Sequence, residues 1–175
     1  MRGARLVVVC DDDNLRLSSR NRALRFSYRK TLERLNVLSN VVMPLAVVVA
    51  DAGDTRRQVY FQNRGWRVLA VPRETALTCN GPVVKSNADF DIIFEVGHLV
   101  SSGQFDTLLL ATGDGDLAVA VGRGVRRKRP DLRLFTLSVA GSASARLRSR
   151  PDLFDGYIVA GRDLSRSWSG EEETQ

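Results

Sequence analysis

The chain reads as an α/β protein: a single domain built as three layers, α/β/α, around a mainly parallel sheet. Three observations predict this. Short apolar runs that read as buried strands alternate with helical patterns over almost the whole length. Two of those runs, Arg5–Cys10 and Thr107–Ala111, lead directly into acidic turns. Neither an internal repeat nor a domain linker interrupts the pattern, so right-handed βαβ crossovers suffice to connect it.

Taken in order, the first strand is Arg5–Cys10, and a long helix is expected over 15–35 from the spacing of Leu24, Tyr28, Leu32 and Leu35. A second strand over 45–49 ends at Asp51. The helix after it, over 54–63, stops at Gly65, a residue suited to a helix C-terminus. The third strand, 66–71, is closed by Pro72, and 73–82 reads as a loop with an Asn80-Gly81 turn signal. A helix over 89–101 precedes the strand 107–111, and a helix over 116–122 follows it. A strand over 132–139, a short helix over 143–148 and a last short strand over 157–159 complete the reading. The domain is set at 1–162, with a polar tail at 163–175 expected to be disordered.

At 175 residues, 43% of them apolar, the chain is long enough and apolar enough to bury a core. No apolar run has the length of a membrane span, and only Met1–Ala4 precede the first strand, which leaves no room for a signal peptide. The cysteines are Cys10 and Cys79, the former inside a strand, so a reduced, cytoplasmic protein is the simplest expectation. The 26 Lys and Arg exceed the 20 Asp and Glu, a net charge of +6 that favours polyanionic partners.

Against this basic background the acidic turns stand out. Asp11-Asp12-Asp13-Asn14 follows the first strand, and Thr112-Gly113-Asp114-Gly115-Asp116 follows the strand 107–111. A single side-chain acceptor is enough to cap a helix. Two turns, each with more carboxylates than a cap uses, point to a shared pocket outside the carboxyl ends of the strands, with a hard divalent cation offsetting the repulsion. Asp89, Asp91 and Glu95 at the start of the next helix, and Asp51 and Asp54 after the second strand, are further candidates. His98, the single histidine, reads as a surface residue rather than a catalytic base.

These residues resemble a known family. Asp11-x-x-Asn14, Lys85-x-x-x-Asp89-x-x-x-x-x-Glu95 and Thr112-Gly113-Asp114-Gly115-Asp116 are similar to the motifs of the NYN domain, a PIN-like ribonuclease fold. Gly141-Ser142-Ala143-Ser144 and Asp152-x-Phe154-Asp155 fit the end of that domain, so the resemblance spans about residues 5–160. It implies a metal-dependent endoribonuclease using Mg²⁺ or Mn²⁺. Asp11, Asp89, Asp114 and Asp116 would be the catalytic and metal-binding residues, with Asn14, Thr112, Glu95 and Asp13 in support. The chain departs from the pattern at Asp12, where the family has Gly, and at Glu95, where Asp is usual. Either Asp12 distorts the turn, or Asp12 or Asp13 takes over the role of Asp11. The resemblance also brings RNA as partner, and a second copy or a regulatory protein as further partners.

The chemistry suits these residue types. Phosphodiester hydrolysis needs an activated water and stabilised charge, which carboxylate-held divalent ions supply without a histidine. Lys85, Arg16 and Arg20 are the expected nucleic-acid contacts. Arg126-Arg127-Lys128-Arg129 read as a solvated loop before the strand 132–139, and no aromatic-rich stacking surface stands out. Two other functions share the motifs. One is a non-catalytic RNA- or protein-binding module on the same fold. The other is a haloacid-dehalogenase-type phosphatase, with Asp11-x-Asp13 as nucleophile and acid and Gly113-Asp114 as a late metal motif. The latter lacks the usual continuation after Asp13 and has Ala118 where a further acid is common.

Overall fold

A computed structural model describes residues 3–21, 24–79, 81–85, 88–161 and 165–167, with the backbone alone at 24–25, 74–78, 82–85, 148 and 165–167. Its centre is a six-stranded sheet in the order β4-β3-β1-β7-β8-β9, every pair parallel. The strands are β1 (Arg5–Asp11), β3 (Asn40–Ala50), β4 (Arg67–Pro72), β7 (Thr107–Ala111), β8 (Arg133–Val139) and β9 (Gly156–Ala160). Numbered within the sheet, this is the doubly wound order 3-2-1-4-5-6, with its switch point between β1 and β7. The expected α/β architecture with helices on both faces is therefore observed.

Two apolar layers separate the helices by face. Leu6, Val8 and Cys10 of β1 pack with α1 (Asp12–Arg20), α2 (Tyr28–Leu38) and α3 (Arg56–Gln62), through Leu15, Leu35 and Phe61. Val7 and Val9 face the other way, onto α4 (Asp89–Ser102), α5 (Gly115–Lys128) and α6 (Ala145–Arg148), through Ile92, Val96, Leu117 and Leu147. Buried strands of parallel sheets are apolar on both sides, which is why β1 and β7 read as continuous apolar runs.

Several expected elements differ in the structure. The single helix over 15–35 is broken: α1 ends at Arg20, β2 (Leu24–Phe26) intervenes, and α2 begins after Ser27, whose Oγ accepts from the Lys30 N–H at 3.3 Å. Burial drives the break. Phe26 and Tyr28 stack edge to face at 5.0 Å, and Tyr28 meets Phe61 at 4.6 Å, contacts that a continuous helix would not bring together. The expected loop over 73–82 is an antiparallel hairpin, β5 (Glu74–Thr78) and β6 (Gly81–Lys85), turning at Gly81 with φ 105°.

β3 starts five residues before the expected strand and carries Pro44 despite its interior place. Val42 is an extra residue against the Leu6–Val7 step of β1, and Pro44 lies just ahead of Leu45, where pairing with β4 begins, so β3 is still an edge on that side and tolerates the proline's missing N–H. α5 runs on to Lys128, so Arg126, Arg127 and Lys128 form its last turn rather than a loop. There they complement the helix C-terminus, and Arg126 donates to the Leu132 carbonyl at 2.8 Å and to Asp155 at 2.6 Å. Within the tail expected to be disordered, Ser165–Ser167 form β10, antiparallel to β2; 163–164 and 168–175 lie outside the described residues. Cys10 is buried, Cys79 is exposed, and both are free thiols. Among the described residues, no helix is long and apolar enough to cross a membrane.

Candidate functional site

The site lies where β1 and β7 end side by side. Cys10 pairs with Ala111, so Asp11 and Thr112 are the next residues out on neighbouring strands. Strand alternation decides where each acidic side chain goes. Val7 and Val9 face the α4–α5 layer, so Asp11 does too. The following residue, Asp12, turns to the opposite layer.

Asp11 is buried and caps α1, its Oδ1 accepting from the Asn14 N–H at 3.1 Å. Its Oδ2 accepts from the Thr112 hydroxyl at 3.1 Å. Thr112 in turn accepts from the Asp114 N–H at 3.1 Å, and Asn14 Oδ1 accepts from the Gly113 N–H at 2.7 Å. These bonds lock the first acidic turn to the second across roughly a hundred residues of chain. Asp114 caps α5, its Oδ1 accepting from the Asp116 and Leu117 N–H groups at 2.7 and 3.1 Å; its Oδ2 takes no described hydrogen bond.

Asp89 opens α4 and faces this pair. Burial pushes the Asp11 carboxyl up to about 6 against the bonds from Asn14 and Thr112, and the charges of Asp89 and Asp13 push it the same way. Asp89 is raised by burial and by the charge of Asp114. Carboxylates from three separate segments thus lie near enough at the switch point for Asp89 to act on Asp11 and Asp114 on Asp89.

The other expected site residues are placed differently. Asp116 is exposed and ion-paired with Arg146, so it does not join the group. Asp13 is paired with Arg16 at 2.8 Å, which takes up both a candidate acid and a candidate phosphate contact. Arg20 is exposed on α1. Glu95 is half-buried on α4 with no described partner, and His98 is exposed on the same helix. The side chain of Lys85 lies outside the described residues.

Asp12 is turned away from Asp11. It is buried on the opposite face, accepting from the Tyr28 hydroxyl at 2.6 Å and from Arg57 through Nε at 3.1 Å and through a second nitrogen. The alternation of β1 carries that signal in the sequence; the partner Arg57, 45 residues away, has none.

Further features escaped sequence reasoning. Gly113 and Gly115 are fixed by the close approach of the segment after β8. A Cβ on Gly115 would lie 2.4 Å from Ser144 Oγ, and one on Gly113 3.0 Å from the Ser142 carbonyl. The Ser144 N–H donates to the Gly113 carbonyl at 3.2 Å, so residues 142–146 wall one side of the site. Phe90 and Phe94, beside Asp89, are largely exposed.

Among the described residues, no three His, Cys, Asp or Glu side chains are already grouped to grip one metal ion. The expected cluster of Asp11, Asp89, Asp114 and Asp116 is therefore not preformed, because like charges repel and Asp116 is held by Arg146. The donor chemistry nonetheless fits a hard divalent cation: all donors are oxygens, one oxygen of Asp114 takes no hydrogen bond among the described residues, and the charge of Asp89 pushes Asp11 up while that of Asp114 pushes Asp89 up.

No model of a known protein family matches the chain, and no curated protein does. Among solved structures, the chain is similar to a protein of unknown function from Vibrio parahaemolyticus. The TM-score is 0.74 at 19% identity, covering 94% of this chain and 98% of that one. This likeness concerns the fold. A phosphomethylpyrimidine kinase from Clostridium difficile (TM-score 0.33, 11% identity, 67% of this chain and 58% of that one) carries no argument at that score. The same holds for an O-ureido-L-serine synthase (TM-score 0.31, 11% identity, 91% and 58%).

Proposed function

We propose that the protein is a divalent-metal-dependent endoribonuclease whose centre is Asp11, Asp89 and Asp114. The observation that carries this reading is that the turns bearing Asp11 and Asp114 are hydrogen-bonded together at the topological switch point of a basic chain, with Asp89 near enough for its charge to push Asp11 up and for Asp114 to push Asp89 up. Asp11, Asp89 and Asp114 would hold Mg²⁺ or Mn²⁺, which when bound supplies an activated water and charge stabilisation on the phosphate.

The chain's own residues do the positioning. Thr112 fixes Asp11 through one oxygen and the Asp114 backbone through the other face of its hydroxyl. Asn14 holds the Gly113 amide and so sets the height of the second turn against the first. Asp116 takes no part in this reading as the chain stands, since it is ion-paired with Arg146.

Replacing Asp114 with Asn keeps size and cap while removing a charge. Cleavage of a labelled single-stranded RNA in Mn²⁺ should fall by about 10²-fold or more. Mn²⁺ should raise the melting midpoint of the parent and not of the variant, because only the folded parent binds it. Equal cleavage by both proteins would refute this centre.

A second reading is a non-catalytic RNA- or protein-binding module on the same fold. The lack of a preformed metal-gripping group among the described residues favours it, and it predicts RNA binding without cleavage by the parent in either metal. The phosphatase reading has less support, because Asp13, its required acid, is ion-paired with Arg16.

A further inference from the structure

α5 turns one stripe of side chains to solvent: Asp116, Ala120, Arg123 and Arg127, three or four residues apart and so on one helix face. Beside the stripe Gly124 is exposed, and a Cβ there would meet nothing within 4 Å. No packing inside the fold calls for glycine at this position, although only proline is less favourable in a helix interior. The cations of this helix and of the turn after it have different fates. Arg126 is spent on Asp155 and on the carbonyls of Pro130, Leu132 and Leu153. Lys128 donates to the Ser101 hydroxyl at 2.6 Å, and Arg129 pairs with Asp131 at 3.2 Å. Arg123 and Arg127 have no ion pair or hydrogen bond among the described residues. Asp152 is held below the ordinary carboxylate range chiefly by its bonds to Arg150; the charge of Arg123 adds to this, but Arg150 already engages that carboxylate at 2.6 Å. Arg127 lies in the last turn, where a cation complements the helix C-terminus. Arg123 is a turn further in, beyond that effect, and two like charges four residues apart repel.

We propose that Arg123 and Arg127 form a docking ridge for the sugar–phosphate backbone of RNA, separate from the acidic centre. Charge complementarity carries the choice of partner: two unengaged guanidiniums, whose forked donors match phosphate, stand on a chain of net charge +6. The ridge lacks what anchors a protein, since α5 exposes no large hydrophobic side chain. The two arginines are about 6 Å apart along the helix axis, so one strand can offer each its own phosphate. Ala120 and the bare backbone of Gly124 let that strand lie close against the helix. Arg123 stands about 12 Å along the axis from Gly115, where α5 leaves the acidic turn, which keeps bound phosphates away from the carboxylates that would repel them. The ridge needs no metal, and it serves a nuclease and a non-catalytic RNA-binding module alike.

The test uses the full chain and labelled single-stranded RNA in EDTA, with affinity read by fluorescence anisotropy across a salt series. At about 50 mM salt Arg123→Gln/Arg127→Gln should bind about 10-fold or more weakly than the parent, and its slope of log affinity against log salt should be shallower by about 1.4, the effect of two phosphate contacts on a single strand. The loss should be equal for polyuridine and polyadenosine, because phosphates carry no sequence. Arg123→Lys/Arg127→Lys keeps the charge and should keep most of the parental slope. Arg34→Gln/Arg67→Gln removes the same charge from exposed positions on α2 and β4 and should cost little. A loss there as large as at 123 and 127 would show that net charge alone binds RNA, and the ridge is refuted. Parental binding by Arg123→Gln/Arg127→Gln refutes it too, as does a parent that binds no RNA. If that pair instead abolishes self-association in sedimentation velocity, or binding of labelled polyglutamate, with RNA binding unchanged, the occupant is a second copy or an acidic protein and the ridge for RNA is refuted. Asp114→Asn, run alongside, should keep parental binding in EDTA whatever its effect on cleavage in Mn²⁺, so a failed ridge and a failed metal centre are told apart.

Discussion

Arg57→Met tests the reading of Asp12 most directly. The Asp12 side chain is 2% exposed and that of Arg57 31%, so the pair is sunk beneath α3 with only the guanidinium edge in water. Methionine preserves most of the aliphatic stem that packs near Tyr60 and Phe61, where the guanidinium carbon lies 5.0 and 5.2 Å from the ring centres. What is lost is the charge opposite Asp12. Removing one member of a buried pair costs about 3–5 kcal/mol, because the other is left uncompensated. The retained bond from Tyr28 and the partial access of water put the expected cost near the lower end, about 3 kcal/mol. That is a large share of the roughly 5–15 kcal/mol that holds a domain together.

Urea denaturation at neutral pH, followed by far-UV circular dichroism, measures this cost. Asp12→Asn/Arg57→Met removes both charges and should recover at least half the loss, a coupling that a double-mutant cycle resolves. A loss below about 1 kcal/mol for Arg57→Met would mean that Asp12 is satisfied without it, and the account of why this turn tolerates Asp would fail.

Three further substitutions probe the site and the helices beside it. Asp11 sits at about 6 in the folded protein against 3.8 ordinarily. The folded state therefore holds its proton more tightly, and ionisation weakens the fold as pH rises from about 4 to 6; at about 1.4 kcal/mol per pH unit the full effect is on the order of 3 kcal/mol. In EDTA, Asp11→Asn, still a good cap, should gain on the parent across that window and keep the gain at pH 7; parallel stability curves would contradict the burial argument. Gly97→Ala, whose Cβ meets nothing within 4 Å, should stabilise α4 by about 0.5–1 kcal/mol, whereas Gly115→Ala should destabilise. Ser144→Ala should not rescue Gly115→Ala, because the Ser144 Cβ itself lies 2.7 Å from the new methyl; rescue seen in thermal melts would show that the hydroxyl alone makes the clash.

The centre of the sheet was legible because β1 and β7 are buried on both faces and so appear as unbroken apolar runs. β7 falls at 107–111 as expected, and Asp11 and Asp114 end adjacent strands. Local signals failed where distant contacts decide. The break between α1 and α2 depends on Tyr28 meeting Phe61 and Trp66, far along the chain. The length of α5 was obscured by Gly122 and Gly124, although Gly122 is accounted for by the Leu153 side chain 3.2 Å from where a Cβ would stand. In the site, carboxylates could be counted but not aimed. Only partners such as Arg57 and Arg146 decide that Asp12 and Asp116 are spent on ion pairs while the charge of Asp89 reaches Asp11 and that of Asp114 reaches Asp89.

The wall that presses on Gly113 and Gly115 has a bearing on synthesis. A nascent chain that has emerged through β7 already carries Asp11, Asp89 and Asp114, yet the turn holding Asp114 lacks its buttress. Only when the stretch through Arg146 is out can the Ser144 amide reach the Gly113 carbonyl and Arg146 neutralise Asp116. Until then the second acidic turn has Asn14 and Thr112 on one side and solvent on the other. The pairing of the two acidic turns is thus completed from the C-terminal side, by a segment made after every carboxylate it positions.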